Sequence, residues 1–194
     1  KTLTIFSSDL NVDVLDCSGA KIFESLRISC FNSDKEAKKI METIPDIRKQ
    51  IINIFGNKSY LNQTLNSKYL SNIVFKNPKK LKLLNKLIHP MVIKKIILWS
   101  NNITSKYGVV ESAILFESGL NKLCNKIICV EAPEKIRFQR IINRDKINKE
   151  NIKERLNNQT KLKSHLESID FFIENIDFDK TKKEVITIHN KLFN

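Results

Sequence analysis

The stretch that decides the fold is Val109-Val110-Glu111-Ser112-Ala113-Ile114-Leu115-Phe116, the strongest β-strand pattern in the sequence. A short, mostly apolar run of this kind is typical of a strand that is buried on both faces of a sheet. Shorter strand patterns flank it, and helical patterns separate them from one another. Strands that alternate with helices form parallel sheets with helices on both faces. The sequence therefore predicts a three-layer α/β fold with a parallel sheet of about five strands; the other predicted strands are 3–6, 28–31, 126–130 and 171–173.

A long helical segment interrupts this alternation between residues 45 and 104. Pro45 and Pro78 stand where helices begin, and the apolar residues after each recur at three- and four-residue spacing. The pair His89-Pro90 either interrupts the helix that starts at Pro78 or starts another one. The predicted division is an α/β core made of 1–34 and 105–194 and a mainly helical cap made of 35–104.

Composition places the chain among small globular proteins. Its 194 residues and 22.5 kDa suit one domain with a small inserted subdomain. No run reaches the ~18 consecutive apolar residues of a membrane span, and residues 1–15 lack the pattern of a signal peptide. The cysteines show neither a CxxC pair nor metal-ligand spacing, which predicts free thiols in a reducing compartment. We therefore expect a cytoplasmic protein with no membrane partner and no metal ligands; the cysteines are Cys17, Cys30, Cys124 and Cys129.

The sequence is strongly basic, with 34 Lys and Arg against 21 Asp and Glu and a formal net charge of +13. Such a charge is typical of proteins that bind nucleic acids or acidic ligands. The cations are mostly lysines, dispersed along the chain without the interleaved aromatic residues of a base-stacking surface. We therefore interpret them as solvated faces and expect no specific nucleic-acid partner. A basic nucleic-acid-binding module is the alternative interpretation.

Four of the six arginines fall within one short stretch of the chain. Arg137, Arg140 and Arg144 share one helical face by their i, i+3, i+7 spacing. Arg155 and Gln159 form a similar pair on the next predicted helix. Guanidinium groups bind phosphate oxygens bidentately, so the two helices could form a lid over nucleotide phosphates. The alternative is a solvated amphipathic face whose arginines pair with the nearby acids Glu134, Glu150 and Glu154.

Polar side chains follow three of the predicted strands, at the ends where ligands bind in open α/β sheets. They are the segments Asn32-Ser33-Asp34, Phe116-Glu117-Ser118-Gly119 and Asp170 to Asn175. A carboxylate at such a place could orient or deprotonate a substrate hydroxyl. Asp34 could instead be the N-cap of the helix that follows it. His89, in an otherwise apolar stretch, could equally be a satisfied core histidine.

Several motifs occur in register and together resemble those of the dephospho-coenzyme A kinase family. The resemblance covers roughly residues 20–194. One motif by itself is weak, whereas several at matching spacing are specific. The motifs, in chain order, are Ile28 to Lys38 with Asp34 after a strand, Leu65 to Phe75, Leu87-Ile88-His89-Pro90, Glu111 to Leu120, Ala132-Pro133-Glu134, Arg140-x-x-x-Arg144-Asp145, Arg155-x-x-x-Gln159 and Asp170-x-x-Ile173-x-Asn175.

This resemblance implies a P-loop kinase fold and transfer of the γ-phosphoryl group of ATP to the ribose 3′-hydroxyl of dephospho-coenzyme A, with Mg²⁺. It implies that Asp34 is the catalytic base and that Arg140 and Arg144 are also catalytic. Arg140, Arg144 and Arg155 would form the phosphate clamp together with a lid at about 145–167. The helical cap would receive the substrate. The residues that the resemblance assigns to substrate binding are His89, Glu117 and Asn175.

The sequence departs from the family at the phosphate-binding loop. Family spacing places that loop at about 11–18, where the chain has no glycine, and Asp16 stands where the family has its phosphate-binding Lys. We therefore expect weak or absent ATP binding together with binding of coenzyme A-type ligands, and a non-catalytic descendant is a second hypothesis. The nucleotide-binding positions assigned by spacing alone are Asp13, Val14, Leu15, Asp16, Cys17 and Ser18.

Overall fold

The computed structural model describes residues 2–8, 19–133, 135–136, 139–140, 142 and 162–193. The chain divides into two compact units, which we call the core unit and the helical unit. The core unit comprises Lys1–Asn32 and Leu98–Asn194, and the helical unit comprises Ser33–Ile97. The second boundary falls inside a helix, seven residues before the position 104 that the sequence suggested.

Strands and helices alternate along the chain outside the helical unit. In chain order the elements are β1 (Thr2–Ser8), α1 (Gly19–Ser25), β2 (Ser29–Asn32), α2 (Ser33–Thr43), α3 (Pro45–Phe55), β3 (Tyr60–Leu61), β4 (Thr64–Leu65), α4 (Ser67–Lys76), α5 (Pro78–Asn102), β5 (Tyr107–Ser112), α6 (Leu115–Ser118), β6 (Lys126–Glu131), β7 (Phe171–Glu174) and α7 (Phe178–Phe193). Short 3-10 helices occupy Asn57–Ser59, Leu120–Leu123 and Leu162–Ser168. No helix in the described part of the chain combines the length and apolar character needed to cross a membrane.

The core unit contains a sheet of five parallel strands in the order β2-β5-β1-β6-β7. The central strand β1 pairs with β5 on one side and β6 on the other, with Thr4 opposite both Val109 and Lys126. The predicted parallel α/β fold is confirmed. The strand β5, which contains 109–112, lies between β2 and β1 and is therefore an inner strand. Val109 and Val110 are fully buried, as expected for an inner strand of a parallel sheet.

One face of the sheet packs against α1 and α7. Phe23 of α1 and Val185 of α7 are fully buried in one cluster with Val109 of β5 and Ile128 of β6. Each such side chain contributes about 1.5–3 kcal/mol relative to an exposed one. The other buried members of this cluster are Ile22, Ile28, Tyr107, Val130, Ile173 and Ile188.

The opposite face of the sheet is covered by the end of α5. The ring of Trp99 lies 5.3 Å from the ring of Phe31, measured between centroids, and directly over Gly108. Successive strand residues point to opposite faces, so Gly108 faces Trp99 while Val109 faces the cluster with α1 and α7. The core unit therefore has the three layers that the sequence predicted.

Gly108→Ala is expected to destabilise the protein by about 1–3 kcal/mol, because it overpacks a filled contact. An added Cβ would lie 2.8 Å from Trp99 Cη2 and 3.0 Å from Ile103 Cδ1. Urea unfolding measures the change. Gly119→Asn is the matched control, since no atom lies within 4 Å of that Cβ and asparagine tolerates a φ of +75°. An equal or smaller loss in Gly108→Ala than in the control would contradict the packing argument.

The helical unit is held together by apolar residues from all of its helices and by hydrogen bonds from two tyrosine hydroxyls. The Tyr60 hydroxyl donates to the Met41 carbonyl at 2.7 Å, and the Tyr69 hydroxyl donates to the Phe55 carbonyl at 3.0 Å. Its mainly helical character agrees with the apolar spacing in the sequence. The buried apolar residues are Ile40, Ile47, Ile51, Phe55, Tyr60, Leu65, Leu70, Val74, Ile88, Val92 and Ile96.

A small antiparallel hairpin within the helical unit was not predicted. It pairs β3 with β4 through Tyr60 opposite Leu65. Its two turn residues, Asn62 and Gln63, have φ values of 46° and 69°. Tight hairpins usually place glycine at such positions, and this turn has none, so the sequence lacked the usual signal.

The helix α5 runs without interruption through Pro90, which corrects the prediction that His89-Pro90 breaks it or starts another helix. Proline inside a helix costs about 3 kcal/mol, because it removes a donor and crowds the preceding turn. Ile88, Val92 and Ile96 are buried along one face on both sides of this position. At about 1.5–3 kcal/mol each, their burial outweighs that cost.

Candidate active site at the carboxyl edge of the sheet

The carboxyl ends of the five strands meet at one edge of the core unit, because all five are parallel. From β1 the chain passes to β2 on one side and later to β6 and β7 on the other. Ligands in open α/β sheets bind where the direction of winding reverses in this way. The carboxyl end of β1 is that point, and residues 9–18 follow it in the chain.

Asn32 and Glu111 form a side-chain pair at this edge. They are register partners at the ends of β2 and β5, and Asn32 Nδ2 donates to Glu111 Oε2 at 2.5 Å. Both residues are half-buried. Sequence reasoning did not single out Glu111 as a site residue. The available signal was an acid one residue before the end of an apolar strand, close to the edge of the sheet at which ligands bind.

Glu117 does not lie at a strand end, and this corrects the sequence prediction. The strand β5 ends at Ser112, whose Oγ accepts a hydrogen bond from the Ile114 N–H at 3.3 Å. Glu117 is exposed on the short helix α6, which ends at Gly119 with a left-handed φ of 75°. The apolar residues at 113–116 therefore belong to a turn and a helix. A short apolar run does not distinguish these from a strand.

Asp34 lies in the first turn of α2 and is half-buried. The helix begins one residue earlier, at Ser33. A carboxylate in the first turn of a helix interacts favourably with the helix dipole. In the chain, Asp34 follows the carboxyl end of β2 by two residues.

Arg140 and Asn175 are brought together by hydrogen bonds. Arg140 Nη1 donates to the Asn175 carbonyl and Nη2 to the Ile176 carbonyl, both at 2.9 Å. The Asn175 N–H donates to the Glu131 carbonyl at 2.7 Å, and the hydroxyl of the buried Thr181 donates to Asn175 Oδ1 at 3.3 Å. Arg140 therefore fixes the turn after β7 through these two hydrogen bonds. The sequence analysis had assigned Arg140 to phosphate binding.

His89 lies in the middle of α5, with its Nε2 atom buried. It belongs to the helical unit together with Asp34, whereas Glu117, Arg140 and Asn175 belong to the core unit. Several predicted positions fall outside the described residues. They are Asp13, Val14, Leu15, Asp16, Cys17 and Ser18 of the expected phosphate loop, Arg137, Arg144 and Arg155 of the arginine group, and Gln159.

Asp170 precedes the amino end of β7 and therefore lies at the opposite edge of the sheet. Of the motif Asp170-x-x-Ile173-x-Asn175, only Asn175 follows the carboxyl end of the strand. Its carboxylate accepts a hydrogen bond from Lys126 Nζ at 2.6 Å and another from the Ile127 N–H at 2.9 Å. Partial burial alone would raise the pKa of Asp170. The hydrogen bonds from Lys126 and Ile127 and the charge of Lys126 outweigh it, and the pKa lies below its usual value. Asp170 is a structural residue.

Asp170→Asn is expected to reduce the free energy of unfolding at neutral pH and to matter little in acid. A carboxyl whose folded pKa is lowered stabilises the protein above its unfolded pKa, about 3.9, and loses that contribution as the pH falls through the folded value. Urea unfolding at about pH 7 and about pH 3 measures how far the deficit shrinks as the pH falls. The exposed Asp179→Asn is the control. A deficit that stays constant between the two pH values would contradict the assignment.

The cysteines of the described residues, Cys30, Cys124 and Cys129, are free thiols, as predicted, and Cys17 lies outside those residues. Cys30 lies beside the site, on β2. Burial, with smaller contributions from the charges of Glu24 and Glu111, raises its pKa to about 12. The thiol therefore stays protonated near neutral pH and cannot serve as a nucleophile.

Comparison with known proteins gives a consistent result. A family model for dephospho-CoA kinase matches residues 17–180. A dephospho-CoA kinase of Fusobacterium nucleatum is 37% identical over 146 residues, which cover 75% of this chain and 75% of that protein. A dephospho-CoA kinase of Leptospira interrogans is 31% identical over 180 residues, which cover 90% of this chain and 86% of that protein.

A solved structure is similar over nearly the whole chain. The dephospho-CoA kinase from Campylobacter jejuni is 27% identical, with a TM-score of 0.64, and the alignment covers 98% of this chain and 96% of that one. The matched family range includes Asp34, His89, Glu117, Arg140 and Asn175, and it begins immediately after Asp16.

Proposed function

The chain belongs to the dephospho-CoA kinase family, and we propose that it transfers the γ-phosphoryl group of ATP to the ribose 3′-hydroxyl of dephospho-CoA. The observation that carries this proposal is the family match over residues 17–180, which includes β2, β5, β6 and β7 of the sheet and the whole helical unit. In the reaction the 3′-oxygen forms a bond to the γ-phosphorus, the bond from that phosphorus to the β,γ-bridging oxygen breaks, and ADP leaves.

Asp34 is the base in this proposal. Its carboxylate accepts the proton of the 3′-hydroxyl as the oxygen attacks, so negative charge does not accumulate on the oxygen. The supporting geometry is its place in the first turn of α2, directly after the strand end that carries Asn32. In the first turn of a helix a carboxylate also interacts favourably with the helix dipole.

Mg²⁺ fits the residues that the site offers. The described residues contain no group of three or more ligating side chains, and Mg²⁺ does not need one. It is usually held by one or two carboxylates together with substrate phosphates and water. Glu111, oriented by Asn32, would supply that carboxylate. When bound, the ion neutralises charge on the phosphate oxygens.

The remaining side chains divide between the two substrates. Arg155, within the lid at about 145–167, and Arg144, directly before it, bind the phosphates of ATP. Arg140 positions the turn that contains Asn175. The helical unit receives dephospho-CoA, with His89 as a contact. Glu117 and Asn175 contact substrate from the core unit. Free thiols support a cytoplasmic location for this reaction.

A non-catalytic descendant is the second candidate. The absence of glycine between residues 9 and 18 and the carboxylate of Asp16 favour it, because a phosphate loop converges backbone N–H groups on the anion. In that case the helical unit still binds coenzyme A-type ligands and no phosphoryl transfer follows.

Transfer of labelled phosphate distinguishes the two candidates. The purified chain is incubated with dephospho-CoA, Mg²⁺ and ATP labelled at the γ-phosphate, at millimolar ATP to compensate for a weak site. We expect label in the 3′-phosphate of coenzyme A, and none when dephospho-CoA or Mg²⁺ is omitted. No label above the background without enzyme, together with intact binding of dephospho-CoA, would establish the non-catalytic candidate.

A further inference from the structure

The positive charge of the chain is concentrated in the helical unit. Residues 33–97 carry fourteen Lys and Arg against four Asp and Glu, and no acid occurs between Asp46 and Glu111. Within this unit the lysines of α5 stand out, because two of them, Lys79 and Lys80, lie in its first turn. Cations at a helix N-terminus oppose the helix dipole and do not favour folding.

The solvent-facing side of α5 combines these lysines with apolar side chains. Lys79, Leu83, Lys86, Pro90, Lys94 and Ile97 follow one another at intervals of three and four residues, which places them on one line along the helix. Lys82 is exposed beside this line, three residues after Lys79 and four before Lys86, and belongs to the same face. Leu83 is 48% exposed and Ile97 is 44% exposed. The buried residues of the helix, Ile88, Val92 and Ile96, lie on another side. The line extends over about 27 Å.

The lysines of this face have their charges available to a partner. Within the residues that the structure describes, the ion pairs of lysines involve Lys38, Lys95, Lys126 and Lys180, and none involves Lys79, Lys82 or Lys86. A partner of this face must therefore be anionic, and it must also accept exposed leucine and isoleucine side chains.

We propose that this face of α5 docks on an anionic lipid surface. A helix that lies in a membrane interface carries lysines beside an apolar strip, so that the cations meet headgroups while the apolar side chains enter the acyl boundary. A nucleic-acid backbone would satisfy the lysines and leave Leu83 and Ile97 without an apolar contact. Surfaces that bind nucleic acids also usually contain arginine and aromatic residues, and the exposed line of α5 contains neither.

In this proposal α5 lies along the membrane surface and does not cross the bilayer. The sequence had predicted no membrane partner from the lack of an apolar run long enough to span a bilayer. Interfacial helices need no such run, because their apolar residues occupy one side only. The proposal does not rest on the kinase reaction, since docking requires neither ATP nor dephospho-CoA.

Sedimentation with vesicles tests the proposal on the full chain. We expect the protein to sediment with vesicles of phosphatidylcholine containing phosphatidylserine and not with pure phosphatidylcholine vesicles. Each lysine near an anionic surface is worth roughly a fivefold change in partition. Lys79→Gln/Lys82→Gln/Lys86→Gln should therefore reduce partition by about a hundredfold. The control removes three exposed charges elsewhere, through Lys122→Gln, Lys182→Gln and Lys183→Gln, and should change partition far less.

A second variant separates lipid from other anionic partners. Leu83→Ala should weaken vesicle binding by about tenfold, since the side chain no longer enters the apolar boundary. Its binding to poly(U) RNA should not change. Circular dichroism confirms that each variant is folded. Failure to bind the anionic vesicles, equal losses in the lysine variant and its control, or tighter binding to poly(U) than to vesicles would overturn the proposal. So would a dimer that Leu83→Ala dissociates.

Discussion

Asparagine in place of Asp34 is expected to lower kcat by about 10²- to 10⁴-fold, with KM for both substrates changed by less than about threefold. Asparagine keeps the size of the side chain and can still accept a hydrogen bond from the hydroxyl. It cannot take up a proton, so the loss falls on the transition state and spares the binding of substrate. Steady-state kinetics with dephospho-CoA as the varied substrate measures the split.

The matched control for this variant is Asp46→Asn. Asp46 also lies in the first turn of a helix, α3, so its replacement removes a similar interaction with a helix dipole. It is exposed and follows no strand of the sheet. We expect the control to keep full turnover. Undiminished kcat in Asp34→Asn, or an equal loss in both variants, would remove Asp34 from the role of base.

The parallel sheet could be predicted because its evidence is local and repeated. The apolar run at Val109-Val110 and the strand patterns at 126–130 and 171–173 each end in polar residues, and helical patterns separate them. Together they leave few arrangements open. The same local evidence was misleading where a short apolar run fits a strand and a helix equally well. The run after Ser112 is apolar enough for a strand, and the chain turns there into α6.

The site was harder to predict than the fold, because spacing within one helix does not reveal what lies opposite it. The spacing of Arg137, Arg140 and Arg144 predicts one cationic helical face, and of these three only Arg140 lies among the described residues. Only the structure places the Asn175 and Ile176 carbonyls against the Arg140 guanidinium. Glu111 was missed for the converse reason: its partner, Asn32, is 79 residues away in the chain and adjacent only through strand pairing.

Mg·ATP is expected to bind weakly, with a dissociation constant near the millimolar range, while dephospho-CoA binds at least tenfold more tightly. Residues such as Val14 and Leu15 resist the positive φ values through which glycines bring backbone N–H groups together around a phosphate. Asp16 adds a negative charge where the family has a cation. Two unit charges about 4 Å apart interact by about 4 kcal/mol at an effective dielectric of about 20, so this reversal alone costs several kcal/mol. Paired calorimetric titrations measure both ligands on one sample.

Asp16→Lys tests the electrostatic part of this expectation and should strengthen Mg·ATP binding by at least about tenfold, because repulsion becomes attraction at the β- and γ-phosphates. Dephospho-CoA binding should not change. Glu24→Lys, on an exposed position of α1, reverses the same amount of charge outside the expected loop and corrects for the net charge of the protein. If it improves ATP binding as much as Asp16→Lys does, the effect comes from long-range attraction. Micromolar Mg·ATP binding by the unmodified chain would mean that the loop holds phosphate without glycine, and the expectation would be wrong.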